Sequence, residues 1–341
     1  MSGLKSAILA IDIGGTSISY ALLPQNELLS SKMPPFIIKG LYKTKKGKEN
    51  IRKIIVSIIN KAVFKATKLG CSVSSDICIG SPGKFIGQNF NLIAEKSALN
   101  LESYPGEFTN FNLAGFIQEK LPKRYRLIIK NDALGQMIGG LYFLLKTKRQ
   151  KHLLGQKIAY IGPGTGLGGG FCHLSKDSII TMGTDGHICD LKVLNSSGIP
   201  VKVEDVFSGP AFQKQTVKSA GEVNKSPALL KTFKPQIQKM AEYLFEIIKR
   251  IHTGQIEKIA PKNNWPQKDK DFVKGTKVFL LGGSIGTKGK ISKILIKHAN
   301  NLLKESGLSR INLIPIPESR SAALYGIALF SFSDKNQRIK L

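Results

Sequence analysis

Two parts of the chain share one apolar pattern. Ala7 to Ile11 and Ile158 to Ile161 are short apolar runs, each followed by a glycine-rich stretch and then a second strand-like run, Ile18 to Leu23 and Phe171 to Leu174. Each part therefore predicts strand, tight turn, strand. The alternation of Ile8, Ala10, Ile18, Tyr20 and Leu22 extends the first part to three strands between Ala7 and Met33, followed by a basic loop from Lys39 to Lys48. Ile51, Ile54, Ile55, Ile58, Ala62 and Val63 then recur at helical spacing and predict a long amphipathic helix ending near Gly70. Asp76 to Gly80 reads as a buried strand stopped by Ser81-Pro82-Gly83, and Phe85 to Glu107 is loop-rich. Leu113 to Leu121 is a short helix, and Arg126 to Lys130 is a strand that delivers Asn131-Asp132 to the start of a helix over 133–145. Beyond the second glycine stretch, Gly183 to Pro200 is turn-rich, Ser208 to Thr253 is mostly helical, and Pro261 to Lys277 is a polar insertion. Val278 to Leu281 and Ile311 to Ile316 are strands; between them Gly282-Gly283 leads into a helix through Leu303. A last helix runs from Ser321 to Phe330, with Ser319 as its cap. Strands alternating with helices make the chain α/β.

Length and composition add bounds. The 341 residues suffice for one large or two ordinary domains, and 42% hydrophobic content suffices for real cores. Lys+Arg 51 against Asp+Glu 23 gives +28, which favours anionic partners. The lysines are dispersed, and the dense runs Lys39 to Lys53 and Lys146 to Lys151 lack the interleaved aromatics of a single-strand platform. That fits a general surface property better than a nucleic-acid site. The four cysteines form no CxxC pair and fit a reducing compartment. No apolar stretch reaches membrane-spanning length, and Asp12 interrupts the N-terminal run, so a cytoplasmic protein without a signal peptide is expected.

The glycine stretches carry the candidate chemistry. Asp12-Ile13-Gly14-Gly15-Thr16 and Gly162 to Gly170 both allow backbone N–H groups to approach an anion closely, and Thr16 and Thr165 add hydroxyl donors. Either turn alone is most simply a hairpin. Two in one chain, with a carboxylate at Asp12 able to orient Mg²⁺ waters, favour two halves binding one polyphosphate. Gly164, Gly166 and Gly169 match GxGxxG, but a dinucleotide fingerprint must open a helix, and these glycines lead into a strand. A Walker A loop is absent too. Asn131-Asp132 at a strand-to-helix junction reads most plainly as an N-cap; the alternative is a general base with a neighbouring hydroxyl-binding amide.

In order, Asp12 to Thr16, Gly80-Ser81-Pro82-Gly83, Asn131-Asp132-Ala133, Gly162 to Gly170, Gly186-His187, Glu204 with Phe207-Ser208-Gly209-Pro210, and Leu281-Gly282-Gly283 resemble the ROK family of sugar kinases, nearest its bacterial glucokinase branch. The resemblance covers nearly the whole chain. It implies an actin-like ATPase (ribonuclease H-like) α/β fold with the ligand cleft between two domains, here a small domain of 1–131 plus 317–341 and a large domain of 132–316. It implies Asp132 as catalytic base and Asn100, Asn131, His187 and Glu204 as sugar contacts. For ATP it implies Asp12, Gly14, Gly15 and Thr16 in the first phosphate loop, Gly164, Thr165 and Gly166 in the second, and Gly282 and Gly283 at the adenosine. It further implies Mg²⁺ held through water by Asp12, a homodimer, and a role in glycolysis.

The chain departs from that pattern twice. Many relatives hold a structural zinc after the Gly-His step, but here Cys189 stands without a following cysteine cluster, so no structural zinc is expected. Thr184 stands where the family usually has Glu, leaving Asp185 as a shifted substitute. The expected activity is phosphorylation of glucose or a related hexose at its 6-hydroxyl, with an N-acetylhexosamine or fructose as alternative acceptors. The competing reading is a non-catalytic sugar or nucleotide sensor with a basic nucleic-acid-binding surface.

Overall fold

The computed structural model describes the chain apart from residues 1–4, 31, 84, 87–92, 95–100, 149, 183–186, 288, 317–318 and 335–337. It divides into two compact units: residues 1–151 with 177–179 and 320–341, and residues 152–176 with 180–319. The first division falls after Lys151 rather than after residue 131, because the helix Asp132–Lys148 packs within the first unit.

The sheet of the first unit is built on β1 (Lys5–Ile13). Ala7 to Ile11 are all fully buried, as befits a strand covered on both faces. β1 turns back into antiparallel β2 (Ser17–Pro24), pairing Ile13 with Ile18, and β2 pairs antiparallel with β3 (Ile38–Lys43). On its other side β1 lies parallel to β4 (Cys71–Ser81), which lies parallel to Arg126–Asn131. Two expectations change here. The third N-terminal strand is not between Ala7 and Met33, where Pro24 leads into the short helix Gln25–Leu28. It lies instead in the segment read as a basic loop, where exposed Lys39 and Lys43 give an edge strand a polar rim. The helix Lys48–Lys68 is as expected and buries Ile51, Ile55, Ile58, Ile59, Ala62 and Ala66.

The second unit repeats the design. Lys157–Pro163 turns into antiparallel Leu167–Leu174, and on its other side lies parallel to Val278–Leu281, which is parallel to Asn312–Pro315. Both units thus place a glycine hairpin beside two successive parallel strands, with the C-terminal ends of the parallel strands at the hairpin turn. The helix Lys234–Thr253 has proline in its first turn and ends at Gly254 (φ +75°), the usual start and stop signals. Its buried stripe of Ile237, Met240, Leu244, Ile248 and Ile251 shares a core with Ile291, Leu295, Ala299 and Leu303 of Lys290–Glu305. The polar insertion after Pro261 holds a short helix, Gln267–Val273, whose Val273 is buried.

In the first unit the helix Asp132–Lys148 crosses the last helix, Ser319–Leu329, at main-chain contact. A Cβ added to Gly139 would lie 1.6 Å from Ala322 O, and one on Gly326 would lie 1.9 Å from Gly135 O. Gly139→Val is therefore expected to cost about 3 kcal/mol or more through overpacking. Gly221→Ala, on an exposed helical position with nothing nearer than Ser219 Oγ at 3.9 Å, is expected to gain about 0.5–1 kcal/mol. Urea unfolding of the two variants checks both signs.

Candidate functional site

In the first unit the candidate residues gather at the C-terminal ends of the parallel strands. Asp12 on β1 is opposite Gly80 on β4, and Ser81 on β4 is opposite Asn131. The first turn closes with Gly14 N–H donating to Ser17 O at 2.9 Å. It is anchored from outside by Thr44, whose hydroxyl donates to Gly14 O at 2.6 Å and whose N–H donates to Thr16 O at 3.2 Å. Thr16 itself is exposed and Asp12 is half-buried.

Asn131, 5% exposed, is fixed on both of its polar ends. Its Nδ2 donates to Gly83 O at 2.8 Å, and its Oδ1 accepts from Ala133 N–H at 2.9 Å. It caps the helix, as the plainer reading had it, and retains one N–H and one lone pair beyond these bonds. The same bonds tie the Ser81-Pro82-Gly83 turn to the junction. Asp132 follows, half-buried, its Oδ1 also accepting from Ala133 N–H at 2.9 Å. Loss of hydration raises its carboxyl from 3.8 to about 6, and hydrogen bonds from the Ala133 and Asp132 N–H groups only partly oppose that rise. A carboxylate of this kind is ionised at neutral pH yet basic enough to take a proton from a hydroxyl.

In the second unit three main-chain segments meet. Gly164 N–H donates to Gly166 O at 2.8 Å, closing the turn, and Gly209 N–H donates to Gly164 O at 2.8 Å. A Cβ on Gly209 would lie 2.5 Å from Gly164 O. Gly283, at φ +66°, would bring one within 2.3 Å of Pro163 O, so glycine is required there for both reasons. Thr165 points its exposed position outward, while Glu204 accepts from Leu167 N–H through Oε2 at 2.7 Å. Burial pushes the Glu204 carboxyl up, and the Leu167 N–H pulls it partly back. The glycines between the strands confirm the exclusion of a dinucleotide fingerprint, since Leu167–Leu174 is a strand.

Gly282-Gly283 departs from expectation in one respect. The helix after it is not continuous: a single turn, Gly283–Gly286, precedes Lys290–Glu305. So short a piece has little aligned dipole to offer a phosphate. Gly282 N–H instead donates to Ile161 O at 3.0 Å, fastening this loop to the strand that enters the glycine turn.

His187 begins a segment that sequence reasoning left without support. Lys258, 4% exposed, donates through Nζ to His187 O and to the carboxylate of Asp190, which is 9% exposed. Its Nζ also sits 5.3 Å above the ring of Trp265, which meets Phe171 edge-on at 5.3 Å. A buried ammonium with a carboxylate, a carbonyl and an aromatic face is well satisfied. No local signal marks Lys258 among the chain's many lysines, because its hydrogen-bonding partners are about 70 residues away. Thr44 likewise carries no local mark, since its partner Gly14 is 30 residues away. Asn100 and Asp185 lie outside the described residues, as does Thr184. Surface hollows of about 290 and 380 Å³ share Ser309 and Ile311 at the opposite end of Asn312–Pro315 and include none of the candidate residues.

No protein-family model matches the chain, and no curated protein sequence does. Solved structures do. The chain has the mixed α/β, two-sheet, actin-like ATPase fold seen in ROK sugar kinases. It is similar to a ROK hexokinase from Thermus thermophilus (TM-score 0.62, 16% identity, covering 95% of this chain and 97% of that one). It is likewise similar to a ROK family glucokinase from Streptomyces griseus solved with glucose and AMPPNP (TM-score 0.57, 16% identity, 94% and 98% covered). A ROK family transcriptional regulator, a homologue of the E. coli MLC protein, matches as well (TM-score 0.67, 15% identity, 95% and 77% covered). Among the described residues no helix is long and apolar enough to cross a membrane.

The raised Asp132 carboxyl carries a stability consequence. Its folded-state value lies above its unfolded one, so the folded state gains relative stability at low pH and loses it as pH rises through about 6. Asp132→Asn is therefore expected to stabilise the first unit at pH 7.5 by up to about 3 kcal/mol. The gain should shrink to well under about 1 kcal/mol near pH 4. Urea unfolding at the two pH values checks the sign.

Proposed function

We propose that this protein is an ATP-dependent sugar kinase of the ROK family. The observation that carries the reading is Asp132: a half-buried carboxylate raised to about 6, held at the end of a parallel strand beside a locked Asn131, in a fold shared with sugar kinases. In this reading a sugar's primary hydroxyl attacks the γ-phosphorus of ATP. The bond to the β,γ-bridging oxygen breaks, ADP departs, and Asp132 accepts the hydroxyl proton. The second N–H of Asn131 steadies a neighbouring sugar hydroxyl, and His187, Glu204, Asn100 and Asp185 are assigned further sugar contacts.

The nucleotide's phosphates are assigned to the N–H groups of Gly14, Gly15 and Thr16 and of Gly164, Thr165 and Gly166, and its adenosine to Gly282-Gly283. Fixed main-chain donors of this kind favour charge on a transferring phosphoryl group without reorganising. Asp12 offers a half-buried hard-oxygen donor beside the first turn, which suits a magnesium ion held through water. Magnesium bound there would supply charge neutralisation on the phosphates. Glucose or a related hexose is the preferred acceptor, with an N-acetylhexosamine or fructose next; a homodimer in the cytoplasm is the expected form.

The second reading, a non-catalytic sugar sensor, draws on the likeness to a ROK regulator and on the +28 charge. The two readings part in one assay. A kinase releases ADP from ATP only when the right sugar is present, and a coupled screen over glucose, mannose, fructose and N-acetylhexosamines should find it. Asp132→Ala should then lower kcat by about 10²–10⁴ or more while leaving sugar affinity largely intact. Full activity in that variant would remove Asp132 from the mechanism. Absence of ADP release with every sugar, together with DNA binding that falls steeply with salt, would favour the sensor.

A further inference from the structure

We propose that Glu204 is a positioning residue for the Pro163–Gly166 turn, holding it in the shape that receives nucleotide phosphates. The proposal rests on the kinase reading above and reassigns part of what Glu204 does within it. Resemblance makes Glu204 a sugar contact, yet its Oε2 accepts from Leu167 N–H at 2.7 Å, where the glycine turn ends. Five residues on, Gly209 N–H donates to Gly164 O at 2.8 Å, where the turn begins. One short segment thus grips the turn at both ends.

The segment is itself immobilised. Val203 N–H donates to Leu191 O at 2.8 Å, Glu204 N–H to Cys189 O at 3.1 Å, and Phe207 N–H to Val203 O at 2.7 Å. Val203 and Phe207 are fully buried, and Ser208 caps the following helix by accepting from Ala211 N–H at 3.2 Å. A glycine turn has many accessible backbone conformations, so its phosphate-binding shape must be imposed from outside. A carboxylate bonded to a main-chain N–H is a charge-assisted contact suited to that task. The fit is close: a Cβ on Gly166 would stand 3.0 Å from the same Oε2. The 203–209 segment also joins the His187 stretch, through Cys189 O and Leu191 O, to the glycine turn. Within the second unit, one segment therefore connects the stretch that holds His187 with the turn assigned to phosphate.

The test uses the full chain with a non-hydrolysable ATP analogue as probe, without sugar, alongside amide hydrogen exchange at Leu167. Glu204→Ala is expected to weaken analogue affinity about ten-fold or more and to speed Leu167 exchange by a similar factor. Glu204→Gln keeps an acceptor oxygen at the same reach but loses the charge, so both readouts should fall between the parent and Glu204→Ala, whatever it does to the sugar KM. Should the alanine variant not fold, Glu204→Asp, one methylene too short, gives the same contrast with Gln. Unchanged analogue affinity and unchanged Leu167 exchange in Glu204→Ala, with only the sugar KM raised, would overturn the proposal and leave Glu204 a sugar contact alone. A parent protein that releases no ADP with any sugar fails the kinase reading instead, which the same preparation distinguishes.

Discussion

Close approach of one main chain to another is the constraint on which this molecule depends. At Gly209 against Gly164 O, and at Gly283 against Pro163 O, two segments far apart in sequence lie nearer than any side chain would permit. The glycine turn between Lys157–Pro163 and Leu167–Leu174 is consequently framed by backbone at Gly209 and Gly283, with the Glu204 carboxylate as the one side-chain hold described above. Backbone framing is stiff: a carbonyl moves only if its strand moves, and the strands are paired on both sides. The helix crossing at Gly139 and Gly326 applies the same rule in the other unit, where it fixes the helix that starts at Asp132.

Asp132 illustrates how such stiffness bears on chemistry. Two effects compete at its carboxylate: lost hydration, which disfavours charge, and hydrogen bonds from the Ala133 N–H and its own, which favour it. Hydration loss wins, but the hydrogen bonds keep the group ionised near neutrality. Had the helix start been free to shift, the N–H groups could follow the carboxylate and relax it toward an ordinary acid. A pinned helix start thus keeps the Asp132 carboxyl raised at a cost to the fold.

Much of the architecture was legible in the sequence because it is written in local terms. The two strand–turn–strand units, the long helix after Lys48 and the strand ending at Asn131 follow from apolar period and glycine placement. β3 does not stand out in the pattern, because the lysines on the outer rim of an edge strand resemble a loop. The continuous helix expected after Gly283 was wrong because apolar period alone does not reveal the break before Lys290. The candidate site was legible as a set of residue types, not as a set of bonds. Thr44, Lys258 and the Leu167 contact of Glu204 depend on partners roughly 30 to 70 residues away, and pairings at that range leave no periodic trace.

The arrangement around Lys258 has an optical corollary. Trp265 is the chain's one tryptophan, and its indole lies both against Phe171 on the strand leaving the glycine turn and beneath the ammonium that binds His187 O. Indole emission is sensitive to a nearby charge and to ring contacts alike. The protein therefore carries a built-in fluorophore beside the strand that leaves the glycine turn and the segment that begins at His187, and its emission reports on the packing of those two segments without an attached dye.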